Sequence, residues 1–281
     1  MTTMLIIGFA MLSLVAVGRL ALPVVLRFLR SHRLTAANYA GKTIPVGSGL
    51  VLAVLFAAMY TFAELAVVVS GSETAWLPVK RADFAAFLVV FVAGWMDDAI
   101  GDRSVKGLSG HWRSFRLTHT PTTGGVKAAA IGLAALWLIL HSGHSWAVMP
   151  IDWLILVLMA NAVNLLDVRP GRAWKSFCLG GLLLACAQPD WRLCIWLLPC
   201  AAGAVTLMPG DLRGKYMLGD SGSNLLGFAL GCAFVTAAPL WLRAVVLVAL
   251  IAIHRVAEKS SITGWIERHR VARWLDRIGR A

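Results

Sequence analysis

Charge is scarce in this chain: Asp, Glu, Lys and Arg make up 14% of its 281 residues, against about a quarter in soluble domains. Acidic residues are the scarcest class, with 14 against 26 basic ones. Tyrosine is nearly missing, and no two cysteines stand in CxxC spacing. Cys178, Cys186, Cys194, Cys200 and Cys232 all fall in apolar runs, so a disulfide framework or a thiolate metal site is not indicated. The first residues lack the basic n-region of a signal peptide, and the apolar run continues past Arg19 to Val25, which reads as an uncleaved span.

What is abundant is apolar sequence, at 59%. A spanning helix needs about 20 mostly apolar residues. Nine stretches qualify as candidates: 4–27, 47–69, 84–100, 125–141, 148–166, 174–188, 191–208, 221–237 and 240–257. The expected architecture is therefore an all-α polytopic transmembrane bundle of about nine spans, in one membrane-embedded domain covering 1–281. The net charge of +12 does not call for nucleic acid. With the N-terminus outside, the alternating threading sends 21 of the 26 basic residues to cytoplasmic loops, their flanks and the tail.

The tail, 259–281, carries two short apolar stripes: Ile262, Trp265 and Ile266, then Val271, Trp274, Leu275 and Ile278. The stripes point in different directions on one wheel, which predicts a break near His269. Arg268, Arg270, Arg273 and Arg277 lie between them, so an interfacial amphipathic segment on an anionic membrane surface is expected. Ser223, Gly227 and Gly231 repeat at four-residue spacing and predict close helix packing.

The few acids are placed tellingly. Carboxylates in a membrane are expensive and mark function. Asp97 and Asp98 end the third span, and two adjacent carboxylates need a cation or a shared proton. Asn161, Asn164 and Asp167 lie three apart at the end of the fifth span and share one helical face. Gly219-Asp220-Ser221-Gly222-Ser223 opens the eighth span, and a Gly-rich turn entering a helix favours phosphate. Asp220 there could be a helix N-cap or a hard oxygen ligand for Mg²⁺. His254 ends the ninth span. The threading made from Lys and Arg alone places all of these at cytoplasmic ends, flanked by Lys106, Arg113, Arg169, Arg172, Lys175, Arg213 and Lys215.

On these residues the chain resembles the polyprenyl-phosphate N-acetylhexosamine-1-phosphate transferase superfamily, which includes the phospho-N-acetylmuramoyl-pentapeptide translocase of peptidoglycan synthesis. Gly41-Lys42-Thr43-Ile44-Pro45-Val46-Gly47-Ser48-Gly49 is similar to its early cytoplasmic motif, Asp97-Asp98 to the paired-Asp motif, and Lys106-Gly107-Leu108 to the basic stretch after it. Asn161-Ala162-Val163-Asn164-Leu165-Leu166-Asp167 is similar to the nucleotide-loop motif, Leu218 to Ser223 to the metal motif, and Ile253-His254 to the late histidine motif. The resemblance implies Mg²⁺-dependent (or Mn²⁺-dependent) transfer of a sugar-1-phosphate from a UDP-amino sugar to a polyprenyl phosphate, releasing UMP. It implies Asp220 and Asn164 as metal ligands, and Asp97 or Asp98 as base or positioner for the lipid phosphate. Asp167 would face the nucleoside, and Lys106, Arg113 and His254 the phosphates. Lys42, Asn161, Arg172, Lys175 and Gly219 complete the expected substrate-binding set. A homodimer is compatible with this reading.

Two departures stand out. Val168-Arg169-Pro170-Gly171-Arg172 replaces the family's Gly-x-Asp-Gly, and Arg255-Val256 follows His254 where further histidines are common. With about nine spans where ten would be usual for the family, they mark a divergent, compact branch and leave the donor sugar open. The alternatives are a non-catalytic paralogue binding a lipid-linked intermediate or a partner, or an ion-coupled transporter. The second would place its acids near the midplane rather than at span ends.

Overall fold

The computed structural model describes residues 2–70, 81–101, 107–188 and 197–280. Of the positions singled out above, Lys106 and Cys194 lie outside these residues, as does the start of the 191–208 stretch.

Among the described residues nine helices overlie the nine apolar stretches: α1 (Thr2–Ser31), α2 (Leu50–Ser70), α3 (Arg81–Ile100), α5 (Thr123–Leu140), α6 (Met149–Leu166), α7 (Arg172–Ala187), α8 (Leu197–Leu212), α9 (Gly219–Ala237) and α10 (Leu240–Lys259). Three amphipathic or polar helices add to them: α4 (Gly107–Thr118), α11 (Ile262–Arg268) and α12 (Arg270–Arg277). Among the described residues α1, α2, α5, α6 and α10 are long and apolar enough to cross a membrane by themselves. The others are shorter or carry charge. The architecture is an all-α helix bundle, and its one sheet among the described residues is a hairpin of β1 (Thr35–Ala37) and β2 (Thr43–Pro45).

Local chemistry sets the helix ends. Thr122 caps α5 by accepting from the Gly125 N–H, Ser261 caps α11 through Gly264, and Pro150 sits in the first turn of α6, where no N–H is missed. The tail breaks at His269, as its two stripes predict.

At the centre runs α9. All of it from Gly219 to Ala237 is buried except Asp220 and Thr236, as befits a helix apolar around its whole circumference. Its small residues let α6 come close. A Cβ on Gly227 would stand 2.7 Å from the Ala160 Cα, and one on Gly231 would stand 3.2 Å from the Leu156 Cα. These two pairs fix an antiparallel register. One further turn carries Ser223 and Asn224 level with Asn164, and Asp220 level with Asp167.

At the far end of α6 a buried ionic cluster secures α10. Arg243 Nη1 donates to both Asp152 oxygens at 2.9 and 3.0 Å, and His144 Nδ1 lies 2.7 Å from Asp152 Oδ2. Asp152 is fully buried.

The tail docks by its polar side. Arg172 donates through Nε and Nη2 to the two Asp276 oxygens at 2.7 and 3.0 Å, and through Nη1 to Thr263 Oγ1. Lys175 Nζ donates to the carbonyls of Leu275 and Asp276. The apolar stripe of Val271, Trp274, Leu275 and Ile278 remains exposed on the other side. Burial would raise the Asp276 carboxyl, but hydrogen bonds and charge from Arg172 and Arg280 outweigh it and hold the group below the usual range. A depressed carboxyl contributes to docking above its unfolded value and loses that contribution as pH falls through its folded one. Hydrogen-exchange protection of 262–277 is therefore expected to persist at about pH 5 and to fall at about pH 3, after correction for intrinsic rates.

Candidate functional site

The early Gly-rich segment and the start of α9 are built as one unit. Met217 N–H donates to the Pro45 carbonyl at 2.8 Å, Ser48 N–H and Oγ donate to the Met217 carbonyl, and Gly49 N–H donates to the Leu218 carbonyl at 3.0 Å. Two motifs far apart in the chain (Ser48 and Met217 are separated by 169 positions) thus share a backbone ladder. Lys42 is on the exposed hairpin beyond it.

Into this unit comes the end of α3. Asp98 accepts from the Asp220 N–H at 2.8 Å, the Ser221 N–H at 2.9 Å and the Ser221 hydroxyl at 2.7 Å. A helix start leaves its first N–H groups without partners inside the helix, and here a carboxylate from another helix supplies them. The cap on α9 is therefore Asp98; the Asp220 side chain points elsewhere. Gly219 makes the approach possible. Its φ is +79°, and a Cβ would stand 2.6 Å from Asp98 Oδ2.

Asp97 takes a different direction. Lys127, in the first turns of α5, donates from Nζ to Asp97 Oδ2 at 2.6 Å and makes a close ion pair with Asp220 Oδ2. One ammonium thus joins the paired-Asp motif to the Gly-rich motif. The rule that flagged the carboxylates, charge inside an apolar span, flags Lys127 equally, and it was not among the expected site residues.

On α6 the three-residue spacing holds, with different partners. Asn161 Nδ2 lies 2.9 Å from His254 Nε2, while His254 Nδ1 lies 2.8 Å from the Leu250 carbonyl. The Nδ1–H tautomer satisfies both bonds, with Asn161 donating and His254 accepting. Asn164 Nδ2 is buried without a partner, as is Asn224 Oδ1 on the facing turn of α9. Asp167 caps the end of α6. Burial first, then the charges of Asp211, Asp220 and Asp98, push its carboxyl well above the usual range, and the Gly219 N–H beside it opposes them. A narrow cleft lies next to Asp167, walled by Asn38, Tyr39, Arg169, Asp211 and Tyr216. Arg169 stacks over the Tyr39 ring at 5.1 Å.

The structure thus brings together Asp97, Asp98, Asp167, Asp220 and Gly219, with Asn164 on the adjoining face and the Asn161–His254 pair a turn deeper. Arg172 and Lys175 are instead engaged with the tail. Arg113 is exposed on α4, and Lys106 is outside the described residues.

Several acids against one ammonium leave negative charge uncompensated, which suits a divalent cation. Among the described residues no three Asp, Glu, His or Cys side chains form a metal cluster by themselves. Mg²⁺ does not require one, because it binds through one or two carboxylates with water and substrate phosphates. The orphaned amides of Asn164 and Asn224 add hard oxygen donors on the same level, since an amide's O and N are interchangeable assignments. The residues present fit such an ion.

The chain is similar to a known transferase. It is 27% identical, over 245 residues, to the phospho-N-acetylmuramoyl-pentapeptide-transferase of Synechococcus sp. (strain JA-3-3Ab), a match covering 83% of this chain and 69% of that protein. No protein-family model matches.

Proposed function

We propose that this protein is a membrane transferase that moves a sugar-1-phosphate from a nucleotide-activated amino sugar to a polyprenyl phosphate. The observation that carries the reading is the junction of Asp97, Lys127 and Asp220 beside the Asp98-capped start of α9. The similarity to a phospho-N-acetylmuramoyl-pentapeptide-transferase supports it across most of the chain. Basic loops beside these motifs favour a cytoplasmic site, where a soluble nucleotide sugar and a lipid phosphate can meet.

In this reading a lipid phosphate oxygen attacks the β-phosphorus of a UDP-sugar. The phosphoanhydride bond breaks, and UMP leaves with the electron pair. Asp97 positions the acceptor phosphate and takes any proton it carries. Lys127 holds Asp97 and Asp220 at a fixed separation and places positive charge beside the transferring group. Asp98 holds the start of α9 in place. Asp220, with the amides of Asn164 and Asn224, would hold Mg²⁺, which supplies charge neutralisation on the diphosphate when bound. Asp167 and its cleft are suited to the nucleoside.

The test is UMP release by purified protein with undecaprenyl phosphate, Mg²⁺ and a panel of UDP-sugars. Lipid- and metal-dependent release is expected, and Asp220→Ala and Asp97→Ala should each lower it roughly 100-fold or more. Near-normal turnover in either variant would overturn the roles of these two acids.

A further inference from the structure

Next to the candidate site, with whose cleft it shares Arg169, five guanidiniums converge where the tail meets α7. Arg169, Arg172, Arg273, Arg277 and Arg280 wall a cavity of about 370 Å³ together with Glu267 and Asp276. One carboxylate is already shared: Asp276 takes Arg172, and it also takes Arg280 at 2.9 and 2.5 Å. Among the described residues Glu267, Arg273 and Arg277 make no ion pair, and Arg169 rests on Tyr39. Burial lowers the Arg280 guanidinium pKa, and Arg172 and Arg169 lower it further against the pull of Asp276. Cationic charge is thus packed around a concave space without enough anions to balance it.

Guanidiniums present paired N–H donors that match phosphate oxygens two at a time. The cavity exceeds a single phosphate and accommodates a phosphodiester or a diphosphate. Its walls come from the loop after Asp167 and from the tail, whose apolar stripe is exposed beside it. We propose that this arginine-walled cavity binds a phosphate-bearing anion, bridging the tail to the 168–172 loop. The site does not depend on the transferase reading.

The chemistry has two sources, an anionic lipid headgroup or a soluble phosphate compound. Full-length protein in detergent would be titrated with phosphatidylglycerol, with phosphatidylcholine and with inorganic pyrophosphate, following thermal stability and native mass spectra. Stabilisation by phosphatidylglycerol but not pyrophosphate assigns a headgroup; stabilisation by pyrophosphate assigns a soluble phosphate. In R273Q/R277Q the affinity for the effective probe should fall roughly tenfold or more, while the melting temperature without probe stays unchanged. Should that variant fail to fold, R273K/R277K decides, because it keeps charge and loses the paired donors. A several-fold loss is expected. No stabilisation by either anion, stabilisation by phosphatidylcholine equal to that by phosphatidylglycerol, or unaltered affinity in the variants would overturn the proposal.

Discussion

Lys127→Met should reduce nucleotide release by about 100-fold or more, the scale on which removing one preorganised charge acts, while leaving the protein folded. Methionine approximates the length of the lysine stem without its charge. What it removes is the ammonium held between Asp97 and Asp220. Two carboxylates would then face each other without a counter-charge, and repulsion would spread them or recruit a proton. Lys127→Arg restores charge but not the single-point geometry, because a planar fork cannot replace a compact ammonium. Partial activity is expected there. Measuring release for both variants alongside the melting temperature separates catalysis from folding. Full activity in Lys127→Met would reduce the lysine to a packing element.

The second large effect is on stability. Asp152→Ala should destabilise the protein by about 3–5 kcal/mol, seen as a clear drop in melting temperature. Asp152 is fully buried, and it neutralises Arg243 while accepting from it twice. Taking away the acid leaves a largely buried guanidinium without its counter-charge, since Arg243 stays tied to the Ala238 carbonyl through Nε. The double variant D152L/R243M should recover much of the loss, because replacing both partners removes the stranded charge. A D152A protein as stable as the parent would mean that water reaches this end of the bundle.

Much of this arrangement is legible from residue order. Apolar run length locates the helices, and the two directions of the tail stripes locate the break at His269. The four-residue spacing of Ser223, Gly227 and Gly231 anticipates the contact with α6, because small residues at that interval leave nothing between two backbones. The grouping of Asp97, Asp98, Asp167 and Asp220 follows from alternation: helices that alternate direction return their odd ends to one side.

What residue order conceals is partnership. Asp97 and Asp98 look equivalent, yet successive residues on a helix point about 100° apart, so one meets α5 and the other α9. Arg172 and Lys175 have the right charge for phosphate, but the tail lies far along the chain and its oxygens reach them first. Lys127 is readable by the same cost argument as the acids. A single lysine beside a loop, however, is easily absorbed into the general excess of cations there.

The capping of α9 by Asp98 also has a consequence for how the protein is made. The acid precedes the N–H groups it serves by 122 positions. At about 5–20 residues per second, a ribosome delivers them roughly 6–25 seconds later. Throughout that interval the newborn α3 carries a carboxylate pair without its helix start in place. The Gly-rich turn at the start of α9 therefore cannot be prepared by the first half of the chain alone; it closes only when α9 arrives and packs beside α3 and α6.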